Sequence, residues 1–435
     1  MNAEYARRLR SAADAVALVP EGAYVLQNNA VGEPPGLLAA IVERVRAGDL
    51  RRVRMASLLP MGGSAASIFA PDVCGCIEWE SLFASGVDRA RVRDGQACFI
   101  PAQFHQIPRI IADHLDVDVT LIRVSPPDAH GWMSLGVNVD TAKAAIAKAR
   151  IVLAEVTRFM PRVHGNSWVH ASECDAIIEH DVPIQELPVP PARDEDQVMG
   201  ERIAGLIPHG ATIQLGIGGV PNAVARSLGS HRELGIHTEM FVDAMVDLIE
   251  QGVVTGSRKT FHRGKAIYAF AAGSQRMYEF LDDNPAIEAH PVDYTNHPAQ
   301  IARNANMISV NSTIEVDLTG QCCSESIGPA QWSGTGGQLD FVRGAYESPG
   351  GKSIIAFYST AKNGTVSRVV PTLTPGAVVT TPRTEVHWLA TEYGLVEMKG
   401  RSTRERAKAM IGLAHPRFRD DLARAARAFG YLGRD

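Results

Sequence analysis

The stretch "LIPHGATIQLGIGGVPNAVARSL", residues 206–228, repeats the pattern of an earlier one, "LVPEGAYVLQNNAVGEPPGLLAAI", residues 18–41. Each contains a Pro-x-Gly-Ala turn, an apolar run typical of a strand, a glycine-containing loop, a proline and an apolar helix pattern. Two tandem domains of similar design would produce this match. The alternative is a chance similarity between two common strand–turn–helix units.

The rest of the chain indicates an α/β fold made of two similar tandem domains. Apolar runs such as "VDVTLIRV" and "ARIVLAEV" alternate with helical patterns such as "VDTAKAAIAKA", which is typical of a mainly parallel sheet. The segment 352–370 contains Asn363-Gly364 between two strand-like runs, which predicts an antiparallel hairpin and therefore a mixed sheet. The proline-rich stretch 184–197 is the predicted linker, so we expect an N-terminal domain over residues 1–187 and a C-terminal domain over residues 188–435.

Composition excludes several classes of protein. Hydrophobic residues make up 45% of the chain and charged residues 21%, which argues against disorder, and the net charge of -5 predicts no nucleic-acid partner and no membrane partner. The six cysteines are too irregularly spaced for a disulfide framework or a C-x-x-C zinc site, so we expect no metal. The N-terminal region lacks an apolar signal segment, and no run of 18 apolar residues occurs. These features predict a cytoplasmic protein.

The glycine loop "GIGGVP", residues 216–221, does not match a familiar catalytic motif. The chain contains no G-x-S-x-G, H-E-x-x-H or G-x-x-x-x-G-K-[ST] motif, and Pro221 stands where a dinucleotide-binding loop would have its third glycine. The loop does offer main-chain amides at the start of a helix, which suit an anionic ligand or a developing oxyanion. The alternative is a tight turn with close packing between helix and sheet.

An isolated glutamate and a second glycine cluster suggest which reaction such a ligand undergoes. Glu239 lies in "HTEMF", residues 237–241, without a basic residue beside it in the sequence. It could stabilise a helix N-terminus, be solvated, or act as a nucleophile or base. The second cluster, "SGTGGQLDF", spans residues 333–341. Two glycine loops with one such glutamate suggest acyl transfer, with a carboxylate nucleophile and amides that hold an oxyanion.

Motifs along nearly the whole chain carry a family resemblance. "FHQIPR", "SPPDAHGWMSLGVNVD", "GIGGVPNAV", "HTEMF", "NSTIEVDLTGQ", "GTGGQLDFVRGA", "STAKNGTVSRVVP", "TEYG" and "AHPRF" occur in this order. The chain thereby resembles the acetyl-CoA hydrolase/transferase family of class I CoA-transferases, which includes 4-hydroxybutyrate CoA-transferases and butyryl-CoA:acetate CoA-transferases.

The resemblance implies an acyl-CoA:carboxylate CoA-transferase that works by a ping-pong mechanism. Glu239 would attack the thioester and pass through an acyl-glutamyl anhydride to a glutamyl-CoA thioester. The implied CoA-binding residues are Gly216, Ile217, Gly218, Gly219, Val220, Ile314, Gly337 and Lys362. Lysines in hairpin turns are usually solvated, which is the alternative for Lys362. Coenzyme A thioesters are then substrates, with no permanently bound cofactor, and a homodimer or homotetramer is expected.

Several alternatives remain open at this point. The acyl pair could be acetyl-CoA with 4-hydroxybutyrate or butyrate, or a dicarboxylate pair such as succinyl-CoA with itaconate. Water could complete the reaction and give an acetyl-CoA hydrolase, or the chain could be a CoA-binding regulatory protein. Glu315, Glu325 and Glu392 are alternative candidate nucleophiles, and a structural ion pair is the expected role of Glu315. Cys322 and Cys323 are either redox thiols or small buried hydrophobic residues, which is the preferred interpretation. His237 could orient Glu239 or belong to the core.

Overall fold

Two mainly parallel β-sheets form the framework of the protein in the computed structural model, which describes residues 2–188 and 191–433. The chain divides into two compact units. Unit 1 extends to Pro188 and also contains Phe241–Asp243 and Ile267–Thr295, while unit 2 contains the other residues. Two segments of the second half therefore fold as part of unit 1, and the boundary after residue 187 stays a prediction.

The sheet of unit 1 has seven strands, and every pair of neighbours is parallel. Its central strands are buried along their whole length, as expected when helices cover both faces of a parallel sheet. From one edge to the other the strands are Ala176–Glu179, Ile151–Val156, Val119–Val124, Tyr24–Gln27, Val53–Leu58, Ile77–Phe83 and Ala97–Phe99.

Helices and short strands complete unit 1. The α-helices are Ala3–Arg8, Ala12–Val16, Pro35–Ala47, Gly62–Ala66, Arg89–Arg93, Ile107–His114, Ala142–Lys148, Gln275–Leu281 and Val292–Thr295. The 3₁₀ helices are Ala30–Gly32, Phe104–Gln106 and Ala171–Glu173, and the short strands are Trp132–Ser134, His164–Gly165, Trp168–His170, Phe270–Ala271 and Ile287–Ala289. The apolar residues of Pro35–Ala47 pack with those of the central strands in one buried cluster.

The sheet of unit 2 has six strands, of which the first five are parallel and the last is antiparallel. In order they are Gly235–Ile236, Thr212–Leu215, Met307–Ser312, Lys352–Ala356, Trp388–Thr391 and Gly394–Glu397. The predicted mixed sheet and the predicted antiparallel hairpin are both present, but the hairpin does not belong to the six-stranded sheet. The hairpin Thr360–Ala361/Val366–Ser367 forms a separate two-stranded sheet, because strand Lys352–Ala356 ends before it.

The helices of unit 2 are Asp194–Ala204, Gly219–Ser227, Pro298–Ile301, Gln338–Glu347, Thr403–Leu413 and Arg419–Ala428, with a 3₁₀ helix at Pro416–Phe418. Its other short strands are Glu315–Asp317, Cys322–Cys323, Ser326–Ile327, Ala330–Gln331 and Val369–Val370. Three elements contain residues of both units, namely Met240–Phe241, Asp243–Glu250 and Ala266–Tyr268. None of the helices among the described residues combines the length and the apolar character that a membrane span requires.

The two units share a core topology, as the sequence repeat predicts. Gly22 and Gly210 have φ values of +74° and +76°, and each precedes a strand in the interior of its sheet. After that strand the chain forms a loop and then a helix, Pro35–Ala47 or Gly219–Ser227. The prediction of two similar α/β units with mainly parallel sheets is confirmed. The predicted linker includes residues 189 and 190, which lie outside the described residues.

Candidate active site

The carboxyl ends of four adjacent strands of unit 2 carry the segments that contain most of the predicted site residues. Strand Gly235–Ile236 leads to Glu239, and its neighbour Thr212–Leu215 leads to the glycine loop 216–220. The next two strands lead to Ile314 and to Lys362. Because parallel strands end at the same edge, the sheet gathers segments that are far apart in the sequence, and ligands of open α/β sheets bind at this edge.

Glu239 lies in a bend between two very short strands. Its side chain is half-buried, whereas His237 and Thr238 before it are fully buried and Met240 after it is 5% exposed. The Thr238 hydroxyl donates a hydrogen bond of 3.0 Å to the Met240 carbonyl, which fixes the bend. The nucleophile predicted from the sequence is therefore a carboxylate on a rigid, largely buried turn.

Asn296 is the hydrogen-bond partner that the sequence did not reveal. Its Nδ2 atom donates to Glu239 Oε2 at 2.6 Å, which is the short distance of a bond to a charged acceptor. The Asn296 side chain is fully buried, and its Oδ1 atom has no hydrogen-bond partner among the described residues. Asn296 follows Glu239 by 57 residues, and nothing in the surrounding "DYTNHP" relates it to that glutamate.

Gly337 is in direct contact with the same carboxylate. It is the N-cap residue of helix Gln338–Glu347, and its φ of −95° is accessible to any residue. A Cβ atom added at Gly337 would overlap Glu239 Oε2 and Asn296 Nδ2, so only glycine lets the main chain approach this closely. The positive end of the helix dipole thus lies beside Glu239 and favours negative charge there.

The glycine loop 216–220 exposes main chain at a helix N-terminus. Helix Gly219–Ser227 begins after Gly218, whose φ of +119° and ψ of −176° suit only glycine, and Pro221 lies in the first turn as predicted. The N-cap residue Gly218 has no side chain to accept from the first amides, and a Cβ added there would meet nothing within 4 Å, whereas one added at Gly219 would come within 2.5 Å of the buried Asp196 carboxylate. Ile217 is 53% exposed. A helix N-terminus attracts an anion, and at this one the space beside Gly218 is open while Asp196 lies beside Gly219.

Ile314 and Lys362 are less closely tied to the carboxylate. Ile314 is half-buried, and its N–H donates to the Cys323 carbonyl at 2.9 Å. Lys362 lies in the exposed hairpin turn with a φ of +47°, followed by Asn363 and Gly364, which also have positive φ. This placement matches the alternative of a solvated turn lysine and leaves its role as a CoA ligand a prediction.

The competing glutamates have structural partners. Glu315 accepts two hydrogen bonds of 2.8 Å from the N–H and hydroxyl of Thr374, so its partner is a threonine and not the cation expected for an ion pair. Glu325 is buried and accepts hydrogen bonds from the hydroxyls of Thr335 and Thr380, whereas Glu392 accepts from the N–H and hydroxyl of Ser359.

The cysteines and the histidine belong to the interior. Cys322 and Cys323 are fully buried, and burial raises the pKa of the Cys322 thiol, which keeps it protonated. The interpretation as small buried hydrophobic residues is confirmed. His237 is fully buried with its ring 6.3 Å from that of Phe341, as expected for a core histidine.

A half-buried carboxylate at the carboxyl edge of a parallel sheet, beside the N-terminus of the helix that follows Gly337, defines an α/β enzyme suited to acyl transfer. The N-terminal domain model of the acetyl-CoA hydrolase/transferase family matches residues 1–189, and its C-terminal domain model matches residues 273–426. The chain belongs to the acetyl-CoA hydrolase/transferase family, as the motifs predict.

Comparison with individual relatives places the chain among CoA-transferases. It is 44% identical to succinyl-CoA:cyclohexane-1-carboxylate CoA transferase of Geobacter metallireducens, over 98% of this chain and 96% of the relative. It is 42% identical to 4-hydroxybutyrate coenzyme A transferase of Clostridium kluyveri, over 96% and 97%. The crystal structure of RipA from Yersinia pestis superposes with a TM-score of 0.95 at 43% identity and covers 99% of this chain and 100% of RipA. The predicted enzyme class, a CoA-transferase, is confirmed.

Proposed function

We propose that this enzyme transfers CoA from an acyl-CoA to a free carboxylate through covalent intermediates on Glu239. The observation that carries the proposal is the contact of one carboxylate with both the Asn296 amide and the glycine that begins a helix. A residue that served only to cap the helix would not need a buried amide 2.6 Å away. A nucleophile that must be aimed, and whose own carbonyl becomes an oxyanion, needs both.

In the first step, a Glu239 oxygen attacks the thioester carbonyl carbon. The carbon–sulfur bond breaks, CoA leaves as a thiolate, and an acyl-glutamyl anhydride remains. The fully buried flank of His237 and Thr238 limits hydration of the carboxylate, which preserves its nucleophilicity. The Asn296 hydrogen bond fixes which way the carboxylate faces, so that little orientation is lost when the substrate arrives.

In the second step, the thiolate attacks the Glu239 carboxyl carbon of the anhydride. The bond from that carbon to the bridging oxygen breaks, the first acid leaves as a carboxylate, and a glutamyl-CoA thioester forms. The oxyanion of this step develops on a Glu239 oxygen, where the Asn296 N–H and the helix N-terminus at Gly337 supply positive potential. A second carboxylate then repeats both steps in reverse and leaves as the new acyl-CoA.

For CoA itself we propose the binding residues Gly216, Ile217, Gly218, Gly219, Val220, Ile314, Gly337 and Lys362. The helix N-terminus at Gly219 suits a phosphate or a thiolate, and the open space beside Gly218 lets such a group approach the main chain. Ile217 is an exposed apolar side chain in the same loop and suits the apolar part of the pantetheine arm. Lys362 depends on the family resemblance alone.

The proposed substrates are acetyl-CoA with 4-hydroxybutyrate or butyrate. The 44% identity to a transferase named for succinyl-CoA favours succinyl-CoA as a second donor to test, with a dicarboxylate or another acid as acceptor. Net hydrolysis is the less favoured outcome, since the relatives named acetyl-CoA hydrolase share 22% and 24% identity with this chain. The homodimer or homotetramer, the cytoplasmic location and the domain boundary after residue 187 stay predictions.

The test is mass spectrometry of the intact protein after incubation with acetyl-CoA or succinyl-CoA and reduction with borohydride, with Glu239→Ala as the control. Borohydride reduces a glutamyl thioester to an alcohol, so peptide mapping should find the mass loss on Glu239 in the wild type only. Release of CoA without a modified residue would favour direct hydrolysis. Binding of CoA without release from any acyl-CoA would favour a regulatory CoA-binding protein.

A further inference from the structure

The strand that leads to Glu239 lies at the edge of its sheet. Strand Gly235–Ile236 has one neighbour in the sheet, strand Thr212–Leu215. On that side, the Gly235 N–H donates to the Ala211 carbonyl at 2.8 Å, and the His237 N–H donates to the Ile213 carbonyl at 3.1 Å. Since successive residues of a strand present their main-chain groups to opposite sides, the Ile236 carbonyl points away from that neighbour. An edge carbonyl in a buried place needs a donor from outside the sheet.

Lys259 supplies that donor. Its Nζ atom donates to the Ile236 carbonyl at 2.8 Å and to the Lys265 carbonyl at 2.7 Å, and the side chain is only 4% exposed. Two residues earlier, the Leu234 carbonyl is covered by the main-chain N–H groups of Thr255 and Gly256. The side chain of Lys259 thus continues the covering of this edge where the main chain no longer reaches it.

The packing of the lysine stem also restricts the strand. A Cβ atom added at Gly235 would overlap the side-chain carbons of Lys259, so the glycine is needed for this close approach. An ammonium group is costly to remove from water, and an apolar residue could fill the same volume without that cost. A buried lysine at this place indicates that the two carbonyls it joins must be held at fixed positions.

We propose that Lys259 is a positioning residue for the nucleophile. This inference rests on the proposed function of Glu239 and adds a residue that has no contact with substrate in the mechanism above. Lys259 fixes the Ile236 carbonyl, and three residues later the chain presents the Glu239 carboxylate to Asn296 and Gly337. A displacement of about 1 Å at a reacting group lowers the rate by roughly 100-fold.

The test compares Lys259→Met with Arg406→Met. Arg406 is a matched control because it is also a buried cation of unit 2 that donates to main-chain carbonyls, those of Thr319, Arg383 and Arg401, at 3.0, 2.8 and 3.4 Å. We expect both variants to lose stability. Only Lys259→Met should lose kcat, by about 100-fold, and it should form the Glu239 thioester more slowly while binding CoA with an unchanged Kd. Equal kcat values in the two variants, each corrected for the folded fraction, would overturn the proposal.

Two further measurements cover the remaining outcomes. If Lys259→Met does not fold, Lys259→Arg replaces it, because this substitution keeps the charge but lengthens the side chain. It should show the same loss of kcat at an unchanged Kd for CoA. A wild-type kcat in Lys259→Arg would refute the positioning role. Amide hydrogen exchange of residues 237–241 does not depend on turnover. It should accelerate in the Lys259 variant and not in Arg406→Met, even if the wild type forms no thioester and the proposed function fails. Unchanged exchange would overturn the anchoring itself.

Discussion

In each unit, a helix follows the strand of the sequence repeat, and the two helices begin at equivalent places. The groups that lie beside their first N–H groups differ. In unit 1, the buried Glu155 carboxylate accepts hydrogen bonds from the first N–H groups of helix Pro35–Ala47, those of Gly36 and Leu37, at 2.8 and 3.1 Å. In unit 2, Gly219 at the start of helix Gly219–Ser227 lies against the buried Asp196 carboxylate, which accepts hydrogen bonds from the Arg193 N–H and the Tyr358 hydroxyl at 2.9 and 2.6 Å. The carboxylate of unit 1 therefore holds the helix amides by hydrogen bonds, whereas that of unit 2 is bonded to other groups, and the loop at Gly218 stays open to a ligand.

The surroundings of Glu155 show that its role is structural. Arg123, only 2% exposed, lies 3.6 Å from one Glu155 oxygen, and His180 Nδ1 lies 3.1 Å from it. Burial raises the pKa of Glu155, although the Arg123 charge and the hydrogen bond with His180 act in the other direction. Two α/β units of similar topology therefore differ at this edge: one helix start is bonded to a carboxylate of its own unit, and the other is the proposed ligand site.

Glu239→Gln gives the largest expected effect and separates the two edges most clearly. The amide keeps the size of the side chain but cannot act as a nucleophile, so we expect a rate at least about 1,000-fold lower, as for removal of other covalent nucleophiles. Thermal unfolding should change little. Transfer activity is measured with the donor that labels the wild type, and a rate close to that of the wild type would show that Glu239 only caps the helix.

Glu155→Gln should affect stability where Glu239→Gln affects rate. Without the carboxylate, Arg123 is left as a buried charge without its counterion, which costs about 3–5 kcal/mol of unfolding free energy. Denaturant titration measures the loss, and kcat of the folded fraction should stay unchanged. Glu43→Gln is the control, since Glu43 forms an exposed ion pair with Arg46 and its loss should leave the stability nearly unchanged.

Gly337→Ala and Gly36→Ala form a matched pair of smaller changes. The added methyl group at residue 337 must displace Glu239 or Asn296, which should lower kcat by about 100-fold. At residue 36 it would come within 2.7 Å of His180 Nδ1 and 3.1 Å of Glu155 Oε2, so it should lower stability and spare kcat. Steady-state kinetics and thermal unfolding of both variants make the comparison. A loss of kcat in Gly36→Ala would contradict the division of roles.

The smallest expected effect concerns pH and Asp140, which accepts hydrogen bonds from Asn29 and Asn138 in unit 1. Burial raises its pKa from 3.8 to about 6. The folded state then holds a proton that the unfolded state has already released, so this group stabilises the fold below its unfolded pKa and loses that contribution as pH rises to about 6. The expected loss is about 2 kcal/mol between pH 4 and pH 6. Denaturant titrations should show this slope in the wild type and not in Asp140→Asn, and parallel profiles would contradict the assignment.

The sequence predicted the fold where local patterns repeat, and it failed where only tertiary contacts decide. Positive φ at Gly22 and Gly210 and the buried strands that follow have clear local signals. The hairpin around Asn363-Gly364 was also found, but its attachment to the main sheet was wrong because pairing depends on where strand Lys352–Ala356 ends.

The site shows the same division. Glu239 stands out because its neighbours in the sequence are apolar or uncharged, whereas Asn296 reaches it across 57 residues. Lys259 is hidden for the same reason, since it acts on a carbonyl of a segment 23 residues away. A hydrogen-bond partner of this kind leaves no periodic pattern in the sequence, and a single buried lysine is indistinguishable from a solvated one until the fold is known.

The segments of the two units alternate along the chain, which has a practical consequence for expressing the two halves separately. Unit 1 includes Phe241–Asp243 and Ile267–Thr295, which come after the first strands of unit 2 in the sequence. A fragment that stops at residue 188 would lack both segments and expose the apolar surface they cover, so it should be prone to aggregation. Expression of the two halves as separate polypeptides should therefore yield soluble material only when both are made together. A nascent chain that has been synthesised only as far as residue 188 would still lack part of the core of unit 1.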